Sequence, residues 1–75
     1  MNKLPRIMGR ETIGALKKAG FAEVRMRGSH CYLYHEGKDR IVTVPVHSGK
    51  VLAPKTLKSI LKQADMSVTE FKKLL

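Results

Sequence analysis

Residues 21–34 read FAEVRMRGSHCYLY, two runs of alternating side chains separated by the dipeptide Gly28-Ser29. Alternation with a period of two residues is typical of a strand that has one face in the core and the other in solvent. Glycine and serine between two such runs favour a tight turn. The segment therefore predicts an antiparallel hairpin, with a first strand over residues 21–27 and a second over residues 30–36.

The two-residue period also assigns each side chain of the hairpin to one face of the sheet. On the first strand, the side chains expected to face the core are Ala22, Val24 and Met26. On the second strand, Cys31 and Leu33 take that position. The opposite face is expected to stay open and to carry basic, polar and aromatic side chains: Arg25, Arg27, His30, Tyr32 and Tyr34.

A third strand is predicted directly after the hairpin. Residues 37–39 have the composition of a turn, and residues 40–45 alternate again, with Val42 and Val44 toward the core. Because both connections between the strands are short, we expect all three strands to pair antiparallel.

Helical periodicity occurs on both sides of the strands. Ile13 and Leu16 lie three residues apart in a helix predicted over residues 10–19, which Gly20 ends. A second helix begins at Pro54, because proline suits the first helical position. The apolar stripe of this second helix comprises Leu57, Ile60, Leu61 and Ala64.

The run Ser67-Val68-Thr69-Glu70 has the spacing of a capping box and predicts a short C-terminal helix. Each of the two main helices has one apolar stripe and the sheet has one apolar face, so both helices are expected on that face. We therefore predict an α+β fold with the α-β-β-β-α order of double-stranded-RNA-binding domains. At this length, residues 1–75 are expected to form a single domain.

The composition is strongly basic. Fifteen Lys and Arg against six Asp and Glu give a formal net charge of +9, and 43% of the residues are hydrophobic. The hydrophobic fraction suits a folded globule, whereas the excess of positive charge is larger than solubility requires and favours a polyanionic partner. Nucleic acid is the first candidate, and a membrane surface or an acidic protein would also fit. Since so small a domain has little room for an enclosed pocket, we expect a large substrate at the surface.

Cysteine content and the N-terminal segment bear on the compartment. Cys31 is the single cysteine, which excludes an internal disulfide and a multi-cysteine metal site and suits a reducing environment. Residues 1–8 contain no long apolar run, so we expect neither a signal peptide nor a transmembrane segment. The expected location is the cytoplasm.

His30, beside the predicted turn, is the first candidate for catalysis. Imidazole is the side chain best suited to proton transfer near neutral pH. RNA carries its own nucleophile, the 2′-hydroxyl, so a histidine beside a cationic surface suffices to cleave it without a metal. The alternative is a structural histidine that caps the turn.

The other two histidines have weaker claims. His47 lies in a glycine-containing loop near Lys50, where it could act as the complementary acid or bind phosphate. It could equally pack against the second helix or contact a partner protein. His35 is expected to be a solvated turn residue. Because His30 and His35 should point to opposite faces, and no acidic cluster assists them, we expect no metal and no other cofactor.

Basic and aromatic side chains around His30 are candidates for RNA binding. Arg25 and Arg27 could neutralise a phosphate, or could belong to a solvated face. Tyr32 could stack on a base or form a cross-strand aromatic pair, and the aromatic pair is the favoured interpretation for Tyr34. The remaining candidates for contact with RNA are Gly28, Ser29, Lys50, Lys55 and Lys58.

The segments KKAGF (17–21), GSH (28–30), VPVHSG (44–49) and PKTLKSILKQA (54–64) follow one another in this order along the chain. Together they resemble the HicA toxin family of HicA–HicB toxin–antitoxin systems. The resemblance covers nearly the whole chain. Each segment by itself is short and of low specificity, and the resemblance lies in the ordered set.

This resemblance implies an mRNA interferase that acts independently of the ribosome and has a double-stranded-RNA-binding-like fold. It also implies that translation and growth are inhibited until a HicB antitoxin binds and masks the active surface. The family's catalytic histidine is the one in the Gly-Ser-His motif, which here is His30. The expected partners are therefore mRNA and a HicB protein.

Two other classes of function stay open beside the endoribonuclease. A basic RNA-binding module without catalysis is possible because fold and charge suffice to hold an RNA backbone. A membrane-surface protein would need a large apolar face on a basic helix, but the apolar stripe of the second helix is needed for the core. The endoribonuclease is preferred, and attack by the 2′-oxygen predicts 2′,3′-cyclic phosphate and 5′-hydroxyl ends.

Overall fold

The computed structural model describes residues 3–75. Its elements are α1 (Gly9–Lys18), β1 (Ala22–Arg27), β2 (His30–His35), β3 (Arg40–Pro45), α2 (Pro54–Gln63) and α3 (Val68–Lys72). This order confirms the predicted α+β fold, with boundaries that differ from the predicted ones by one residue at several ends. The single domain predicted over residues 1–75 includes Met1 and Asn2, which lie outside the described residues.

The three strands form one antiparallel sheet in the order β1-β2-β3. In the central strand β2, His30 lies opposite Arg27 on one side and opposite Pro45 on the other. The ladder continues one residue beyond β3, because the Val46 N–H donates to the Ser29 carbonyl at 2.6 Å. The β1–β2 turn is thereby bound to the start of the loop that follows β3.

Both main helices pack on one face of this sheet, as predicted. The core that they share with the sheet contains side chains of α1, β2, β3 and α2 and of the residues that flank β1 and α2: Ile13, Leu16, Phe21, Cys31, Leu33, Val42, Val44, Ile60 and Ala64. A second cluster on the outer side of the helices holds α3 in place through the fully buried Phe71. The other face of the sheet is left uncovered.

On the first strand, the prediction that Ala22 and Val24 face the core is wrong. Met26 faces the predicted side of the sheet, but its side chain is exposed and not buried. Every residue of β1 is exposed, with Val24 59% and Met26 56% accessible. The cause is a β-bulge: Glu23 pairs with Leu33 and Arg25 with the next residue, Tyr32, so Val24 is an extra residue. Ala22 therefore pairs with Tyr34 on the open face.

The bulge also explains why Arg25 and Arg27 lie on the open face of the sheet, as predicted. After Val24 the alternation restarts, which puts Arg25 and Arg27 on the open face and Met26 opposite Cys31 on the helix side. Met26 stays exposed there because β1 is an edge strand that the helices do not cover.

The capping box of α3 is formed as predicted. Glu70 N–H donates to Ser67 Oγ at 3.0 Å, and Ser67 N–H donates to Glu70 Oε1 at 2.9 Å. These bonds hold the pKa of the Glu70 carboxyl below its usual value, and the bond from the backbone amide of Ser67 has the largest effect.

None of the helices within residues 3–75 combines the length and the hydropathy needed to span a bilayer.

Candidate active site

The β1–β2 turn places His30 at the edge of the open face. Gly28 has a φ of 58°, in the left-handed region that glycine adopts without strain, and a Cβ built on it would meet no atom within 4 Å beyond its chain neighbours. Glycine is thus required here by the backbone conformation and not by a close neighbour. His30 is the first residue of β2 and its side chain is exposed. Within residues 3–75, no hydrogen bond joins its imidazole to the turn or to any other group, so the ring does not act as a cap.

Two arginines lie beside this histidine on the open face. Arg27 is directly opposite His30 in the β1–β2 ladder, and Arg25 is opposite Tyr32. Both are exposed. Lys17 and Glu23 form the one ion pair found among the described residues, so neither arginine is neutralised by a carboxylate. The surface around the imidazole is therefore positively charged.

The loop after β3 brings His47 to the same end of the sheet. Pro45 pairs with His30 and Val46 bonds to Ser29, so His47 follows two residues that adjoin the turn. A tight turn follows, in which the Lys50 N–H donates to the His47 carbonyl at 3.0 Å. His47 is exposed.

The first turn of α1 also reaches this end of the sheet. Gly9 is buried as the first residue of α1, and a Cβ at this position would collide with the carbonyl oxygen of Pro45. Ahead of it, the Leu52 N–H donates to the Ile7 carbonyl at 2.8 Å. The loop over residues 46–53 is therefore held by the β1–β2 turn on one side and by the start of α1 on the other. Sequence reasoning missed Gly9, whose only signal was a glycine at the start of a helix.

The lysines predicted to bind RNA lie in two places. Lys50 lines a shallow pocket of about 280 Å³ together with His47 and Thr56. Lys55 is in the first turn of α2, whose N-terminus has neither a side-chain cap nor an acidic residue and so favours anions. Lys58 is exposed one turn further along α2, which packs on the helix side, so it does not share the open face with His30.

A comparison of sequences decides the family. A profile described as "HicA toxin of bacterial toxin-antitoxin" matches residues 9–66, more than three quarters of the chain. The chain belongs to the HicA toxin family. The match begins at Gly9, the residue that packs against Pro45, and includes the whole sheet and α2. No curated protein matches the chain.

The two tyrosines of this HicA-family chain have different surroundings. Tyr34 Oη donates to Asp39 Oδ1 at 2.8 Å, and this hydrogen bond raises the pKa of Tyr34 above its usual value. Tyr32 is half-buried and forms no hydrogen bond through its hydroxyl within the described residues. The ring of Tyr34 is thus fixed by the β2–β3 turn, whereas that of Tyr32 is held by its position on the sheet alone.

The prediction that His35 is a solvated turn residue is wrong. Its ring is half-buried and packs edge-to-face on Phe21, with 5.0 Å between the centroids. Its Nδ1 accepts the Lys38 N–H at 3.0 Å. The sequence around His35 gives no sign of such packing, because the packing depends on where Phe21 lies in three dimensions.

Cys31 is 1% accessible, and burial raises the pKa of its thiol. The prediction that Cys31 is a small core residue is confirmed. No group of three or more His, Cys, Asp and Glu side chains within residues 3–75 is arranged to hold a metal ion.

A groove between α1 and β1, lined by both apolar and charged side chains, was not predicted. It has a volume of about 410 Å³, and its lining includes Ile13, Met26 and Cys31, with Arg10 and Lys17 at the side. The groove exists because the bulge and the edge position leave Met26 uncovered. The two-residue alternation of the sequence predicts that Met26 is in the core, so the groove could not be predicted from the sequence.

Proposed function

We propose that this HicA-family chain is a metal-independent endoribonuclease that cleaves mRNA and thereby inhibits translation and growth. The observation that carries the proposal is the exposed imidazole of His30, which has no hydrogen-bond partner in residues 3–75 and lies directly opposite Arg27, which has no ion-pair partner there. In a chain of net charge +9 that belongs to this toxin family, such a pair fits an RNA phosphate.

The chemistry needs only groups that the open face and the RNA supply. The 2′-oxygen attacks the adjacent phosphorus while a base removes the 2′-proton, and the bond from phosphorus to the 5′-oxygen breaks as that oxygen takes up a proton. The products are a 2′,3′-cyclic phosphate and a 5′-hydroxyl. His30 performs one of the two proton transfers, a contribution typically worth about 10²–10⁴-fold in rate.

The second proton transfer is assigned to His47, or else to water. The Val46–Ser29 hydrogen bond keeps the loop of His47 next to the turn that carries His30. Arg27 and Lys50 neutralise the phosphate, whose negative charge grows in the transition state. The backbone of Gly28 and Ser29 lies in contact with the RNA, and Lys55 and Lys58 bind more distant phosphates.

The same proposal includes a partner and a location. A HicB antitoxin, expected to be acidic, binds the basic chain and masks His30, and the toxin acts in the cytoplasm, where mRNA is present. Co-expression of the protein encoded by the neighbouring reading frame should restore growth. Continued growth arrest in the presence of an acidic HicB-like neighbour would contradict this pairing.

The activity is tested by incubating the purified protein with unstructured RNA in EDTA. We expect cleavage to persist, the ends to be 2′,3′-cyclic phosphate and 5′-hydroxyl, and His30→Ala to abolish cleavage. Met26→Ala, at an exposed position on the helix side, should cleave like the parent and serves as the control. A requirement for a divalent ion, or full activity in His30→Ala, would overturn the mechanism. RNA binding with no cleavage by the parent would instead support a non-catalytic RNA-binding module.

A further inference from the structure

The open face of the sheet is organised in three rows that cross the strands. Paired residues of neighbouring strands lie side by side on the same face, so each row contains one side chain from every strand. The first row comprises Arg27, His30 and Pro45, the second Arg25, Tyr32 and Thr43, and the third Ala22, Tyr34 and Ile41.

The second and third rows have the chemistry of a surface for planar bases. Tyr32 is half-buried, with an unneutralised arginine at its side in Arg25. Tyr34 is held in one orientation by its hydrogen bond to Asp39, and Ile41 beside it is 59% exposed. An aromatic ring next to a cation or an exposed aliphatic side chain provides stacking area for a base of any sequence.

The distance between rows decides which form of RNA fits. Successive rows are two residues apart along β2, which corresponds to about 6.6 Å. In a stacked nucleic-acid helix, neighbouring nucleotides of one strand advance by only about 3.4 Å. A strand that places one nucleotide on each row must therefore be extended and unstacked, with its bases turned toward the sheet.

A double helix cannot meet these requirements. Its bases are stacked on one another and paired, and A-form RNA presents to a protein mainly its backbone and its shallow minor groove. The rings of Tyr32 and Tyr34 would then face sugar and phosphate groups, and stacking would be lost.

We propose that the open face binds three successive nucleotides of unpaired RNA, with the phosphate to be cleaved at the row of His30 and the next two bases on Tyr32 and on Tyr34 with Ile41. The substrate class of this site is thus single-stranded RNA, although the order of elements is that of double-stranded-RNA-binding domains. The position of the cleaved phosphate rests on the proposed function, whereas the binding of bases to the second and third rows is measured without cleavage.

Binding is measured by fluorescence anisotropy in the His30→Ala background, with a labelled six-nucleotide RNA that has no self-complementarity. Adding Tyr32→Ala should weaken binding by about 5- to 100-fold, as expected for the loss of one stacked base. Tyr32→Phe keeps the ring and should bind like the parent. Met26→Ala is the control for an exposed side chain on the other face. Affinity should rise steeply from one to three nucleotides and more slowly for longer probes.

The competing arrangement is tested with the same RNA annealed to its complement. The duplex should bind at least 10-fold more weakly than the single strand. Equal binding of the duplex, or an unchanged affinity in a folded Tyr32→Ala protein, would overturn the inference. Base-dependent binding by a protein that never cleaves RNA would support the three-row surface and reject the nuclease. RNA cleavage that is insensitive to Tyr32→Ala would support the nuclease and reject the three-row surface.

Discussion

His30 and His35 lie at the two ends of β2 and have opposite surroundings. His30 is exposed, with no hydrogen-bond partner among the described residues, next to Arg27. His35 packs on Phe21 and accepts a hydrogen bond from the Lys38 amide. Because β2 has six residues, the two rings are on opposite faces of the sheet, and the helix side belongs to the core. One residue type in one strand thus has a structural role at one end and a proposed chemical role at the other.

The substitution His30→Ala should lower kcat/KM for RNA cleavage by at least about 100-fold, since general acid–base catalysis is lost. The free energy of unfolding should change by less than about 0.5 kcal/mol, because the side chain is exposed and forms no hydrogen bond within the described part of the chain. Cleavage kinetics and denaturant unfolding measure the two effects. A large loss of stability in this variant would mean that the ring has a structural role.

The substitution His35→Ala should show the reverse pattern. Loss of the ring contact with Phe21 and of the hydrogen bond from Lys38 should lower the free energy of unfolding by about 1–3 kcal/mol. Under conditions where this variant is folded, kcat/KM should stay near that of the parent. Measured beside His30→Ala, it separates damage to the fold from damage to the chemistry.

At the level of elements, α1 contains two glycines with opposite requirements. Gly9 touches the backbone of Pro45 and lets α1 approach the loop of residues 46–53, whereas no atom lies within 4 Å of a Cβ built on Gly14. Both are part of one ten-residue helix. The first glycine is needed for close approach, and the second carries only the entropic cost of glycine in a helix.

Gly9→Ala and Gly14→Ala should therefore change stability in opposite directions. Gly14→Ala should raise the free energy of unfolding by about 0.5–1 kcal/mol through helix propensity. Gly9→Ala should lower it, and should reduce RNA cleavage by displacing the loop that carries His47. Thermal unfolding of the two variants tests this, and a stabilised Gly9→Ala protein would show that the approach to Pro45 is not needed.

The bulge in β1 makes a second contrast between elements. Val24 is 59% exposed, whereas Val44 on β3 is fully buried. Val24→Ala should change stability by less than about 0.5 kcal/mol. Val44→Ala should cost a substantial part of the roughly 1.5–3 kcal/mol that burial of a valine side chain contributes. Equal costs in urea unfolding would mean that β1 is buried in solution.

The capping box of α3 should appear in the pH dependence of stability. The hydrogen bonds to Ser67 lower the folded-state pKa of Glu70, so its stabilising contribution is present above the unfolded-state value of about 4.5 and is lost as the pH falls through the lower folded-state pKa. Compared with Glu70→Gln, the parent should therefore lose stability as the pH falls from about 5 toward 3. Parallel stability curves for the two proteins would show that the box does not form.

At the level of the whole molecule, charge and shape combine at one end of the sheet. The chain has a net charge of +9, and the open face carries Arg25 and Arg27 without compensating carboxylates in the described part of the chain. The turn at Gly28-Ser29, the loop of His47 and the starts of both main helices adjoin this end. A polyanion that binds there meets side-chain cations together with the uncapped N-terminus of α2, whose dipole favours anions.

This arrangement predicts how salt should affect RNA binding. For single strands the slope of log K against log salt is about −0.7 for each phosphate neutralised, so Arg27→Ala should make the slope less steep by about 0.7. Lys72→Ala on α3, which packs on the outer side of the helices, is the matched control and should leave the slope unchanged. Titrations in the His30→Ala background at several salt concentrations would measure both slopes. An unchanged slope for Arg27→Ala would remove that residue from the phosphate site.

The amino-acid order alone was sufficient for the elements and for most of the core. The alternation of β2 and β3, the stripe of α2 and the capping box of α3 all predict structure correctly, because local periodicity reports which side of an element is buried. Two features were decided only when the elements packed together. Val24 became a bulge because β1 had to match the register of β2, and His35 was half-buried because its ring packs against Phe21. In the same way, His30 and His47 are 17 positions apart in the chain. The chain segments that carry them lie at the same end of the sheet because the ladder of β2 and β3 extends to the bond between Val46 and Ser29, a long-range contact that no local pattern encodes.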